Sequence, residues 1–229
     1  MVHKGHTSRE FDRELRQLRD KLLDMGGRAE QQIALAVQAM AKRDVSLAQA
    51  VIDNDAQIDR EELAIDELAF LILARRQPVA SDLRFVMLAV KVVTDLERIG
   101  DLAVNIAKRV RDLARFAASA LQERIELLGQ RVLAALQLAL DAFVHEDAER
   151  AEKVIEGDRD IDALNMHVIA DILSTGDGID VADVARVLAL SSVSRYLERI
   201  GDHATNIAEM VIYYVRGRDV RHHIARPRG

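Results

Sequence analysis

Asp55, Asp59, Glu62 and Asp66 follow one another at intervals of four, three and four residues. On a helix that spacing puts all four carboxylates on one stripe, where stacked acids repel one another and stay charged comfortably only beside a counter-charge. Between Asp55 and Asp66 the segment offers a single base, Arg60, about 100° round the helix from Asp59. A second set, Glu97, Asp101 and Asn105, steps by four. If the two segments form neighbouring helices, oxygen ligands converge from two sides, as a hard divalent or trivalent cation needs. All-oxygen ligation points to Fe, Mn, Mg or Ca rather than Cu, and Zn is less favoured without His or Cys.

A lone Asp-x-x-x-Asp is weak evidence, because acid runs on helices are usually solvated faces. Duplication argues for more. Asp158, Asp162 and Asn165, with Glu198, Asp202 and Asn206, repeat both stripes further along the chain, and a solvated face has no reason to recur at equivalent positions. The candidate ligands are Asp55, Asp59, Glu62, Glu97 and Asp101 in the first set and Asp158, Asp162, Glu198 and Asp202 in the second. The second set is poorer, since Asn165 replaces Glu62 and Ile169 replaces Asp66, so it is expected to bind fewer or weaker ions.

Other residues near the stripes read more plainly. Gly100 and Gly201 sit inside helices, where Gly costs about 1 kcal/mol relative to Ala; close helix packing explains them better than clearance beside a metal. Arg98 and Arg199 are expected to make surface ion pairs. His203 adjoins Asp202 but points about 100° away and reads as an ordinary surface histidine. Enzymatic constellations are missing: no Gly-rich phosphate loop, no Gly-x-Ser-x-Gly and no cysteine. The Glu-x-x-His of di-iron bundles is also absent, since Ala142, Leu164 and Ile200 stand three residues before His145, His167 and His203.

The elements that must position these acids come in duplicate. Leu96-Glu97-Arg98-Ile99-Gly100-Asp101 returns as Leu197-Glu198-Arg199-Ile200-Gly201-Asp202, and the match continues from Ala103, Asn105, Ile106 and Ala107 to Ala204, Asn206, Ile207 and Ala208. An earlier block pairs Asp44, Val51, Asp55, Ile58 and Asp59 with Asp147, Val154, Asp158, Ile161 and Asp162. Each unit reads as three helices. Phe11, Leu15, Leu18, Leu22, Met25 and Ala29 form one apolar stripe. Val51, Ile58, Ile65 and Ile72 form a second, and Leu83, Val86, Val90 and Val93 begin a third that ends near Arg115. Thr7 with Glu10 and Ser119 with Gln122 are capping-box candidates. Breaks are expected at Lys42 to Asp44, at a turn with Pro78 near the first turn of the third helix, and at Ser174 to Asp180. The expected fold is all-α, a rod of two tandem antiparallel three-helix bundles. The first spans residues 1–116 and the second 117–217. A basic tail, 218–229, carries His222 and His223 and is expected to fray.

Composition agrees. Apolar residues make up 49% but aromatics only 3%, with no Trp, so the core must be aliphatic, and two prolines in 229 residues leave room for long helices. At 31% charged residues no apolar run approaches a membrane span. The net charge of −6 argues against nucleic acid as a ligand. Met1 to His6 lack the apolar core of a secretory signal, so a cytoplasmic chain is expected.

The stretch Ala74-Arg75-Arg76-Gln77-Pro78-Val79-Ala80-Ser81-Asp82-Leu83-Arg84, followed by Leu96 to Asp101, resembles the PhoU family of phosphate-specific transport accessory proteins. The resemblance covers essentially the whole chain, and it implies a tandem of two three-helix bundles with an acidic D/E-x-x-x-D motif on helices of each. It implies multinuclear metal clusters, iron first, on Asp55, Asp59, Glu97 and Asp101 and on Asp158, Asp162, Glu198 and Asp202. It further implies a cytoplasmic regulator of phosphate uptake rather than an enzyme, expected as a homodimer. Its partners would be the ATPase of the phosphate ABC transporter and a phosphate-sensing histidine kinase, and with phosphate plentiful the complex would keep the starvation response off. Some relatives accompany low-affinity phosphate transporters instead. The competing readings are a metal-storage or metal-dependent helical bundle, which the missing Glu-x-x-His disfavours, and a passive scaffold.

Overall fold

The computed structural model describes residues 4–116, 120–174 and 181–217. They form six helices: α1 (Lys4–Lys42), α2 (Val45–Arg76), α3 (Ala80–Leu113), α4 (Ala120–His145), α5 (Ala148–Ser174) and α6 (Val181–Arg216). No strand occurs among the described residues. With no proline to interrupt it, α1 runs 39 residues, about 58 Å at 1.5 Å per residue. Most of the expected seams are buried: Leu18, Leu22, Met25 and Ala29 on α1 and Val51, Ile58, Ile65 and Ile72 on α2 are at most 1% exposed, and Val86 and Val93 on α3 are buried too. Phe11, Leu15 and Val90 are only partly buried, and Leu83, in the first turn of α3, is exposed.

The helix ends differ in part from expectation. Because α1 already runs at Lys4, Thr7 lies inside it and not at its start, and the Glu10 carboxylate pairs with Arg76 at 2.9 Å. Arg76 also makes a two-pronged contact with Glu14 (2.9 and 2.8 Å), anchoring the end of α2 to α1. Pro78 is buried in the connection two residues ahead of α3, a turn close to the helix start as expected. The break at Lys42 to Asp44 is present and recurs. Arg43 and Glu146 both take left-handed backbone (φ 54° and 50°), and the following Asp caps the next helix. Asp44 accepts from the N–H of Ser46 and Leu47 (2.9 and 3.0 Å), Asp147 from Glu149 and Arg150 (3.0 and 3.1 Å). The Ser46 side chain and these N–H groups hold the Asp44 carboxyl below its usual range, and the N–H of Arg150 does the same for Asp147. Ser119, the loop at 175–180, and His222 and His223 lie outside the described residues.

Within each unit all three helices touch one another. Between units, α1 packs on α4 and α3 on α6, while α2 and α5 touch only their own bundle. The two bundles are therefore fused along their length, and one contiguous aliphatic core runs through both. Helix α4, over Leu121–His145, is long and apolar enough by composition to cross a membrane, contrary to the reading of the sequence. In this fold its apolar side (Ile125, Leu128, Val132, Leu136) is core, buried against α1, α5 and α6.

The inter-unit seam is reciprocal. A Cβ on Gly26 would lie 3.0 Å from Leu140 Cδ1, and a Cβ on Gly129 would lie 2.7 Å from Val37 Cγ2. Gly26 and Gly129 are repeat equivalents, and so are Val37 and Leu140, so each unit places its glycine against the other's aliphatic side chain. The polar ends follow the same rule. Arg19 donates to Glu146 (2.7 Å) with its guanidinium over Phe85 and Phe143, 4.9 and 5.6 Å from the ring centroids. At the equivalent pair Gln122 accepts from Arg43 (2.8 Å) and donates to the Met40 carbonyl (2.6 Å). Gln122 is thus an inter-unit link, while Ser119, its partner in the expected capping box, lies outside the described residues.

Gly129→Ala should destabilise the fold. Its methyl meets β-branched Val37, which is stiff at χ1; overpacking of about 1–3 kcal/mol outweighs the helix-propensity gain of about 1 kcal/mol. Gly26→Ala faces the far end of a flexible leucine and should be near neutral. Thermal melts of the two variants check the contrast.

Candidate metal centre

The acids of α2 and α3 are brought together by a close crossing. A Cβ on Gly100 would sit 3.0 Å from Ile58 Cδ1, so the absence of a side chain lets the buried Ile58 seat against the α3 backbone. That confirms helix packing as the role of Gly100, and Gly201 receives Ile161 in the same way with contacts from 3.4 Å. Asp55, Asp59 and Glu62 flank Ile58, while Glu97 and Asp101 flank Gly100, so the crossing draws the two stripes to one seam.

The electrostatics report that convergence. Burial pushes the Asp55 carboxyl above its usual range, and the negative charges of Asp59 on its own helix and Asp101 on α3 push the same way. Glu97 is raised by burial, then by Asp101, and across the seam by Glu62 and Asp59. Glu62 is raised by burial and by Asp66, Asp59 and Asp101. In the second unit burial raises Glu198, helped by Asp202 and by Asp162 across from α5. Each unit thus holds carboxylates from two helices close enough to resist one another's ionisation.

Counter-charge comes mainly from Arg98, the expected surface ion-pair residue of α3, with Lys108 of the same helix drawing Asp55 the same way. Arg60 turns away to donate to Gln57 at 2.7 Å. Arg98, from α3, pairs with Glu97 (3.4 Å) and Asp101 (3.3 Å), and with its side chain 55% exposed it offsets the repulsion only partly.

Two polar residues of the second unit leave the expected stripe. Asn165 is buried and accepts a hydrogen bond from Ser194. Asn206 donates to Asp95 of the first unit (3.3 Å). His203 is no surface histidine: it is half-buried, with Nδ1 2.7 Å from the Asp95 carboxylate. Asp95 itself escaped sequence reading, because its repeat equivalent is Tyr196 and nothing in the chain's own periodicity marks it. Asp158 stays on the α5/α6 seam, accepting from Thr205 at 3.2 Å.

As donors these residues are all carboxylate oxygen, at negative sites short of counter-charge, which is the chemistry hard cations take. Among the described residues no three acids or histidines already converge as a finished cation site. Side chains along the ladder would have to swing inward to close on an ion.

The model of the PhoU domain family matches residues 22–110 and again 125–211. The chain is 44% identical over 218 residues to the phosphate-specific transport system accessory protein PhoU homolog of Pseudomonas aeruginosa, covering 95% of this chain and 90% of that one. It is 38% identical over 217 residues to the phosphate-specific transport system accessory protein PhoU of Edwardsiella tarda, covering 95% and 89%. Among solved structures, PhoU from Pseudomonas aeruginosa superposes with a TM-score of 0.87 at 42% identity, over 91% of this chain and all of that one. The phosphate transport system regulatory protein PhoU from Streptococcus pneumoniae gives 0.84 at 29%, over 92% and 99%.

The raised carboxyls carry a pH signature. A carboxylate whose folded pKa lies above its unfolded value destabilises the fold while ionised, and the penalty fades as pH falls through the raised value. In chelator-treated protein, Glu62→Gln and Glu97→Gln should therefore raise the melting temperature at pH 7. The gain should shrink as pH approaches the unfolded glutamate value of about 4.3. Melts across that range check both sign and window.

Proposed function

The chain belongs to the PhoU family, and on that premise we propose that it is an accessory, regulatory protein of a phosphate transport system and not an enzyme. Both repeats match the family model and the matched span is nearly the whole chain; this is the observation that carries the reading. The protein works on the cytoplasmic side by contact with the ATPase of a phosphate ABC transporter and with a phosphate-sensing histidine kinase, and keeps the starvation response off while phosphate is plentiful. Long exposed helix faces and a net charge of −6 suit a protein that acts through contact.

The two acidic ladders are the cation sites of this regulator. Asp55, Asp59, Glu62, Glu97 and Asp101 would hold ions in the first unit, and Asp158, Asp162, Glu198 and Asp202 in the second. A bound cation would supply positive charge where Arg98 supplies too little, tying α2 to α3 and α5 to α6. Because α2 and α5 are the helices without contacts across the inter-unit seam, they are the ones whose position such ties govern.

A clean deletion without a paralogue should leave phosphate-starvation genes on in high phosphate; normal repression would overturn the regulatory reading. Asp59→Asn with Asp101→Asn should remove most bound metal, and Asp162→Asn with Asp202→Asn less, as read by elemental analysis of purified protein. Unchanged metal content in the first double variant would return the stripes to a solvated face.

A further inference from the structure

We propose that the groove between α4 and α5 binds a small amphiphilic anion, a carboxylate or phosphate head on an aliphatic body, and that the first unit lacks this site. The groove holds about 460 Å³, within the range of small-molecule sites of about 300–1,000 Å³. It lies between α4 and α5, whereas the carboxylate ladder of the same unit lies between α5 and α6.

The repeat supplies its own control, because every groove position has a counterpart between α1 and α2. There the space is filled by polar side chains. Arg28 pairs with Glu61 at 2.5 Å, Gln57 donates to the same carboxylate at 2.9 Å, and Gln32 is buried alongside α1. In the second unit Arg131 keeps the place of Arg28, but Leu164 replaces Glu61, so the cation has lost its acid. Gln31 and Gln32 are replaced by Ala134 and Ala135, which shortens one wall. Asn54 is replaced by Gly157, where an added Cβ would meet nothing within 4 Å. Asp24 is replaced by Leu127, and Ala50 by Lys153.

The charge of the lining shifts from two acids and one base to two bases and one acid: Leu127 and Leu164 replace acids and Lys153 adds a cation, while Asp160, in place of Gln57, adds one acid back. Gln31, Gln32 and Asn54 give way to smaller residues. No such trend is needed for folding, since the first unit folds with the opposite choices. Among the described residues no carboxylate lies within ion-pair distance of Arg131 or Lys153, although Asp160 lines the same groove. Two cations against one acid give a net positive lining, which selects an anionic head. The absence of aromatic side chains selects an aliphatic body over a flat base or ring.

Calorimetric titration of the full-length protein with decanoate tests this, with decyltrimethylammonium and inorganic phosphate as controls. Saturable 1:1 binding of decanoate alone is expected. A triple variant carrying the first unit's residues, Ala135→Gln, Gly157→Asn and Leu164→Glu, should abolish it. The exposed pair Arg131→Gln and Lys153→Gln, which leaves the core untouched, should weaken it about tenfold and decides the matter if the triple variant does not fold. Absence of saturable decanoate binding, equal binding of either control, or unchanged affinity in the charge-pair variant would overturn the proposal.

Discussion

The crossing of α1 on α4 constrains the rest of the molecule. At that seam a glycine of each unit receives an aliphatic side chain of the other, Gly26 under Leu140 and Gly129 against Val37. Backbones can approach that closely only where a Cβ is missing, so these four residues let α1 and α4 close on each other alongside the α3/α6 contact. The helix ends lock the same geometry, with Arg19 reaching Glu146 and Arg43 reaching Gln122 at equivalent places. Equal surfaces meeting equal surfaces is the logic of a two-fold dimer, here written into one chain by duplication.

Once α1, α3, α4 and α6 form the centre, α2 and α5 are left outside, and the acidic seams fall where each outer helix meets a central one. The crossing at Gly100 and Ile58 is a smaller version of the same device: a missing side chain draws two backbones together and carries the flanking acids with them. The cost is burial first and mutual repulsion second, and both raise the carboxyls of Asp55, Glu62, Glu97 and Glu198. Acids at such a cost are poor choices for a face that merely stays soluble.

Symmetry is broken where the two units have diverged. Asp95 joins His203 and Asn206 across the α3/α6 contact, with no counterpart on the other side. The α4/α5 groove is open and aliphatic where the α1/α2 groove is closed by Arg28 and Glu61. Duplication sets the frame, and these departures are where one unit acquires properties the other lacks.

The sequence by itself determined the helices, the repeat, the buried seams at Val51, Ile58, Ile65 and Ile72, and the two stripes of acids. Those features are local or periodic, and a spacing of three or four residues puts side chains on one face whatever the helix packs against. Only the tertiary structure decided that the bundles fuse lengthwise and that His203 faces Asp95. It also decided that Gln122 and Glu10 serve distant partners. Each of these depends on a residue of another helix, often more than a hundred positions away, and periodicity along one helix carries no record of what stands opposite. Gly26 and Gly129 show the limit most plainly: as residues they are only unfavourable helix formers, and their purpose exists only where a second backbone comes close enough to need the space.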